Sequence, residues 1–157
     1  MAVKLQVGNE IFEYSEQGDG NYGEDNTSWA ESVTKALQTV QGPNDILLST
    51  ATLINNTTSS TNVTNLTFNT ANVLSVSVDY FIVRVHNPGS GNVTLTESGT
   101  IDANFDGTLF KSLQSGVGDV GVGFTVNASG QVQYTSTDLT GHISSTMRYR
   151  AKTIDQP

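Results

Sequence analysis

Several groups of residues have types and spacings that suggest chemistry. Asp102-Ala103-Asn104-Phe105-Asp106-Gly107 follows the D-x-N-x-D-G order of a calcium loop, in which oxygen donors two residues apart fold around the ion and a glycine makes the sharp turn. Such a loop closes on a bidentate Glu at its twelfth position. Here that position is Leu113, the ninth is Phe110, and no helical pattern flanks either side. A tight polar turn between strands accounts for the same residues. His86 and His142 are the two histidines. One closes a strand before a turn and the other opens a strand after Gly141. With no third ligand signature they read as surface or interface residues, not as a metal site or catalytic base. The glycines of Val117-Gly118-Asp119-Val120-Gly121-Val122-Gly123 have spacings seen in phosphate-cradling loops. Such a loop needs a strand before it and a helix after it, and here a second strand follows. A bulge or a close approach of strands is the better use of these glycines. Arg148, Arg150 and Lys152 alternate with Met147, Tyr149 and Ala151, so one strand face carries three positive charges. That face either protects an edge strand from aggregation or meets acidic groups on a neighbour, including the amino-terminal arm of another subunit. Tyr22, Trp29 and Tyr134 raise the question of a sugar platform, but Trp29 lies on the apolar side of a helical stretch and reads as a core or docking anchor.

The elements that must carry these residues follow from composition. A chain of 157 residues makes one domain, or one domain plus an arm, and can build a core without cross-links. It has no cysteine, which excludes a disulfide scaffold, a thiol enzyme and Cys-ligated zinc or iron–sulfur chemistry. Charged residues make up 14%, while 21 Thr, 16 Ser, 14 Asn and 15 Gly supply β-branched and turn-forming positions in place of helix formers. The net charge is −8, concentrated in residues 1–50. Seven acids stand between Glu10 and Glu31 with no Lys or Arg among them. Phosphate binding needs a basic footprint, so nucleic acid is not an expected partner, whereas a basic protein surface is. No apolar run approaches the roughly 18 residues of a membrane span, so no membrane partner is expected. Met1 to Gln6 lacks the apolar segment of a secretory leader. The Asn-x-Ser/Thr sites at Asn26, Asn55, Asn56, Asn62, Asn65, Asn92 and Asn127 therefore read as products of composition.

Along the chain, Lys4–Val7 and Ile11–Tyr14 form a short hairpin pattern across Gly8-Asn9. Ser28-Trp29-Ala30-Glu31 is a capping box, and Trp29, Val33, Ala36, Leu37 and Val40 recur at helical spacing until Gly42-Pro43. The pattern predicts a helix over about 29–41 within an arm of residues 1–45. From Ile46 onward only strand signals appear. Ile46-Leu47-Leu48 opens the β region, Asn55–Thr61 reads as an exposed loop, and Val63, Leu66 and Phe68 suggest a strand. Val73 to Val85 is the strongest run, with Val76, Val78, Tyr80 and Ile82 on one face and Phe81, Val83 and Val85 on the other. Apolar residues on both faces imply a central strand covered twice, or one face against another subunit. Val93–Leu95, Thr100-Ile101, Leu109-Phe110, Val122–Val126, Gln131–Tyr134 and Ile143–Ile154 continue the series, with turns at Asn87–Asn92 and Asn127–Gly130. The expected fold is mainly β: an antiparallel β-sandwich of jelly-roll or Greek-key type over residues 46–157.

Two segments carry a family resemblance. Gly23-Glu24-Asp25-Asn26-Thr27-Ser28-Trp29, continued by the helix pattern and Gly42-Pro43-Asn44-Asp45-Ile46, resembles the amino-terminal module of structural proteins in tailed bacteriophages. Val78–Arg84, Glu97–Ile101, Val117–Phe124, Gly130–Ser136 and Gly141–Ile154 resemble, in that order, a companion β domain of virion proteins of the same kind. The resemblance implies a non-enzymatic particle component without a cofactor: a capsid decoration or cement protein, a head fibre, or a tail-associated protein. Longer fibre proteins would continue past this domain, so an end at Pro157 favours a cap or cement over a shaft. The implied partner is the major capsid or connector protein, contacted through the amino-terminal segment with Trp29, Val33, Leu37 and Val40 as its apolar anchor. Arg148, Arg150 and Lys152 would be a further interface. The two-faced 73–85 strand argues for a homo-oligomer, and the resemblance to decorations and fibres implies a trimer. The alternative is a carbohydrate-binding or host-adhesion module of a tail or head fibre, which suits the fold class and the long polar loops.

Overall fold

A computed structural model describes residues 2–7, 10–15 and 42–157, and its packing divides the chain into two units, Met1–Pro43 and Asn44–Pro157. In the first unit β1 (Ala2–Val7) and β2 (Glu10–Ser15) pair antiparallel, with Val7 opposite Glu10 and Leu5 opposite Phe12, as the alternating pattern predicts. The expected helix over 29–41 lies outside the described residues.

The second unit contains β3 (Ile46–Thr52), β4 (Thr57–Thr67), β5 (Val73–His86), β6 (Val93–Phe105), β7 (Phe110–Val117), β8 (Val122–Val126), β9 (Gln131–Ser136) and β10 (His142–Asp155). They form a five-stranded antiparallel sheet in the order β3-β10-β5-β6-β7 and a three-stranded antiparallel sheet in the order β4-β9-β8. Pairing is nested, with β3 against β10 and β4 against β9, as when a long hairpin is rolled up. In β10-β5-β6-β7 a late strand lies beside the first of three consecutive ones, the Greek-key order.

Strict alternation on β5 sends Val76, Val78, Tyr80 and Ile82 inward, where they meet Ile101 and Ala103 of β6 and Met147, Tyr149 and Ala151 of β10. Val63 and Leu66 of β4, Val122, Phe124 and Val126 of β8 and Val132 and Tyr134 of β9 close the core from the smaller sheet. Each fully buried side chain of the Val, Leu or Ile kind contributes about 1.5–3 kcal/mol to holding the two sheets together.

The structure corrects the expected pattern in four places. Residues 57–61, expected as loop, belong to β4, a mostly exposed edge strand. Its β-branched Thr residues favour the pleated conformation even where few are buried. Register shifts between Thr57 and Thr61 and between Asn62 and Thr67, with Asn65 at φ 58°, bend it and break its open edge. Val93–Leu95 and Thr100-Ile101 are parts of one long strand, β6, because Gly99 continues the ladder opposite Tyr80 instead of ending it. Asp102 and Asn104 are strand residues of β6, and the turn begins only at Asp106. Finally β10, with its row of cations, is an interior strand between β3 and β5. Edge protection therefore does not explain the row.

Candidate functional site

The outward face of the five-stranded sheet gathers the exposed cations of residues 44–157. Register sets out rows across it. Arg148 stands beside Phe81, then Ser98 and Val117; Arg150 beside Asp79, then Thr100 and Ser115; Lys152 beside Ser77, then Asp102 and Leu113. Four adjacent strands at about 4.8 Å spacing make each row roughly 14 Å long. The two acids on this face are occupied. Asp79 Oδ2 accepts from Arg150 Nε at 2.9 Å, and Asp102 accepts from Ser77 Oγ at 2.6 Å and from Thr100 Oγ1 at 3.2 Å. Arg148 and Lys152 have no ion-pair partner among the described residues. Leu48, Asp79, Phe81, Arg148 and Arg150 line a shallow depression of about 370 Å³ on the same face. Leu48 is 63% exposed, Phe81 43% and Val117 81%, so the cations stand among uncovered apolar side chains.

Beneath this face lies a buried polar network. Arg84 is fully buried and inward-facing, because it falls on the same alternate positions as Val78 and Ile82. Its guanidinium donates to the carbonyls of Val120 at 2.6 Å and Thr137 at 2.9 Å, to Asn55 Oδ1 at 2.6 Å and to Ser145 Oγ at 3.1 Å. Burial lowers its pKa, partly offset by the charge of Asp138. Glu97, 6% exposed, accepts from Tyr80 Oη at 2.7 Å and Gln114 Nε2 at 3.1 Å with one oxygen, and from the Val120 N–H at 3.0 Å with the other. The Val120 peptide groups thus bridge a buried cation and a buried carboxylate. Burial, reinforced by the bond to Glu97, pushes the Tyr80 hydroxyl up to about 12. Gln114 completes the link between sheets, since its Oε1 accepts from the Phe124 N–H at 2.8 Å. The Gly118–Gly121 segment, expected as a bulge or close approach, is the crossover from β7 to β8, with Gly118 at φ 96° and Gly121 at φ 68°.

The two histidines, distant in sequence, are direct cross-strand partners. His86 Nδ1 contacts the Thr140 carbonyl at 3.2 Å and His142 Nε2 contacts Ser145 Oγ at 2.8 Å, so His142 is tied to the rim of the network. Asp102, Asn104 and Asp106 do not converge. Asp106 Oδ1 accepts from the Thr108 and Leu109 N–H groups, and Oδ2 lies 3.1 Å from Lys111 Nζ. These bonds, that from Leu109 first, lower its pKa. Among the described residues no three His, Asp or Glu side chains cluster as a metal site would require. Tyr134 is buried and donates no surface for stacking; its hydroxyl receives the Ile54 N–H at 2.8 Å.

Of the expected interface residues, Arg148, Arg150 and Lys152 share one outward face of β10, whereas Trp29, Val33, Leu37 and Val40, like Tyr22, lie outside the described residues. The Arg84–Val120–Glu97 network was missed at the sequence level. Its signal was parity: Arg84 continues the inward positions of β5 and Glu97 those of β6, an unusual place for charge unless it is paired.

No protein-family model matches the chain, and no curated protein matches it. Among solved structures, the tailspike protein of Acinetobacter phage vB_ApiP_P1 is similar with a TM-score of 0.45 and 13% identity, over 71% of this chain and 22% of that one. The chain thus spans about a fifth of that protein's length.

Proposed function

We propose that this chain is a non-enzymatic structural component of a phage virion, a decoration or cement protein that attaches through its amino-terminal segment and displays the β-sandwich. The observation that carries this reading is the division of its polar groups. The buried ones, Arg84 and Glu97, are saturated by internal hydrogen bonds that hold two sheets together. The exposed cations are collected on one broad sheet face, suited to contact with a macromolecule. The ordered sequence blocks that resemble those of tailed-phage virion proteins suggest the class of particle. Trp29, Val33, Leu37 and Val40 provide the apolar anchor toward a major capsid or connector protein, and a trimer is the assembly that the resemblance favours. Imaging of labelled full-length protein on particles of the encoding phage tests this. Regular labelling of the head, weakened at least about tenfold by Trp29→Ala with Leu37→Ala, is the expected result. Protein that stays unbound would reject it.

A second reading, a glycan-binding module, is favoured by a depression of about 550 Å³ in the second unit. Thr57, Thr58, Thr135, Thr137 and Asp138, with the side-chain-free positions Gly121 and Gly123, line it. Such a surface offers hydrogen bonds to a sugar without an aromatic platform. Binding on a glycan array, abolished by Asp138→Ala, would establish this function in place of the first.

A further inference from the structure

We propose that the outer face of the five-stranded sheet seats the acidic amino-terminal segment of a second copy of this chain, joining copies arm to face. Lys111, Arg148, Arg150 and Lys152 are the exposed cationic side chains of residues 44–157, and register places all of them on this one face. The acids beside them are already bonded within the sheet, which leaves Arg148 and Lys152 to attract an outside anion. Phe81 and Leu48 line the same depression as Arg148 and would be covered by the hydrophobic part of the same segment.

The occupant follows from charge. Seven acids between Glu10 and Glu31 without a single cation repel one another and are lowered in energy by an opposing basic surface. An acidic segment carried by another copy arrives with its own folded unit, and each copy offers one arm and one face. The contact is heterologous, and repeated around a ring it closes into a small oligomer. It stands whether or not the chain sits on a particle.

Sedimentation equilibrium of the full chain at low and high salt tests the contact. Association at low salt that weakens at least about tenfold at high salt is expected, because exposed ion pairs are screened over about 8 Å at physiological ionic strength. A face variant carrying Arg148→Glu and Lys152→Glu, and an arm variant carrying Glu10→Lys, Glu13→Lys, Glu16→Lys and Asp19→Lys, should each lose self-association by a similar factor while keeping a β-type circular dichroism spectrum. Mixed together, the two variants should form heteromers, since the acidic arm of the first meets the basic face of the second and the reversed pair is also complementary. A monomeric wild-type chain, self-association unchanged in either variant, or variants that fail to combine would overturn the proposal. A monomer retained on dextran sulfate through Arg148 and Lys152 would overturn it too, by showing that the face takes a foreign polyanion.

Discussion

Arg84 shows how one residue can decide whether two sheets stay together. Its guanidinium holds carbonyls from the β7–β8 crossover and from the segment after β9, together with side chains of Asn55 and Ser145. Arg84→Met keeps the volume but leaves these acceptors buried without a donor, which costs about 3–5 kcal/mol. Arg148→Met, on the exposed face, should shift stability by no more than about 0.5 kcal/mol. Urea unfolding of the two variants measures the difference. Tyr80 gives a pH dependence. Its pKa is raised from 10.0 to about 12 in the folded chain. Below pH 10 both states keep the proton and its stabilisation is complete. Between pH 10 and 12 the unfolded chain ionises first, so stability falls as pH rises, by up to about 2–3 kcal/mol. Burial raises Tyr149 in the same direction. Denaturant midpoints followed across this alkaline window should decline in the wild type and less steeply in Tyr80→Phe, which itself costs about 1–2 kcal/mol by removing a donor to Glu97.

At the scale of elements, the pairing of β6 with β7 depends on the absence of side chains. Gly99 and Gly116 are opposite one another above the Tyr80 hydroxyl. A Cβ on Gly99 would collide with the Ser115 carbonyl oxygen and stand 2.8 Å from both the Tyr80 hydroxyl and the Gly116 Cα. Gly99→Ala should therefore destabilise by about 2–3 kcal/mol, since backbone has to move and the buried network moves with it. At Gly123 the added Cβ would meet only Thr135 Oγ1, at 3.5 Å, an ordinary contact. Gly123→Ala should be neutral within about 0.5 kcal/mol, and thermal melts of the pair check the contrast. The position of β10 carries a related lesson. Alternation shows that Arg148, Arg150 and Lys152 share a face, but not that another strand lies on each side. Strand order is set by long-range pairing, and it turns a row suited to edge protection into the centre of a cationic face.

For the whole molecule, the second unit should fold alone. Asn44 Nδ2 donates to Asp155 Oδ1 at 2.9 Å, and Asp45 Oδ1 accepts from the Thr153 N–H at 2.7 Å, so the start of the unit is fastened to its last strand. A chain of residues 44–157 should unfold cooperatively in urea with β-type circular dichroism, yet, on the proposed role, fail to attach to particles because it lacks the proposed anchor residues. If it bound particles as well as the full chain, attachment would belong to the β-sandwich. The core it retains includes Val78, Ile82, Ile101, Val132 and Met147.

Local chemistry made much of this legible. Alternation on β5 and β10 predicted strands and which of their residues share a face, Asn127 and Gly130 predicted a turn, and the depletion of helix formers predicted a mainly β unit. Each of these depends on residues a few positions apart, and backbone sterics and side-chain alternation act at that range. Tertiary structure alone decided what depends on residues far apart in the chain. It made the Thr-rich 57–61 segment a strand by giving it β9 to pair with. It set His86 opposite His142, fastened Arg84 to Glu97 through the peptide groups of Val120, and placed the cations of β7 and β10 on one face. The physical reason is that a hydrogen-bonded ladder or a buried charge is stable only with its distant partner in place, and no local pattern names that partner.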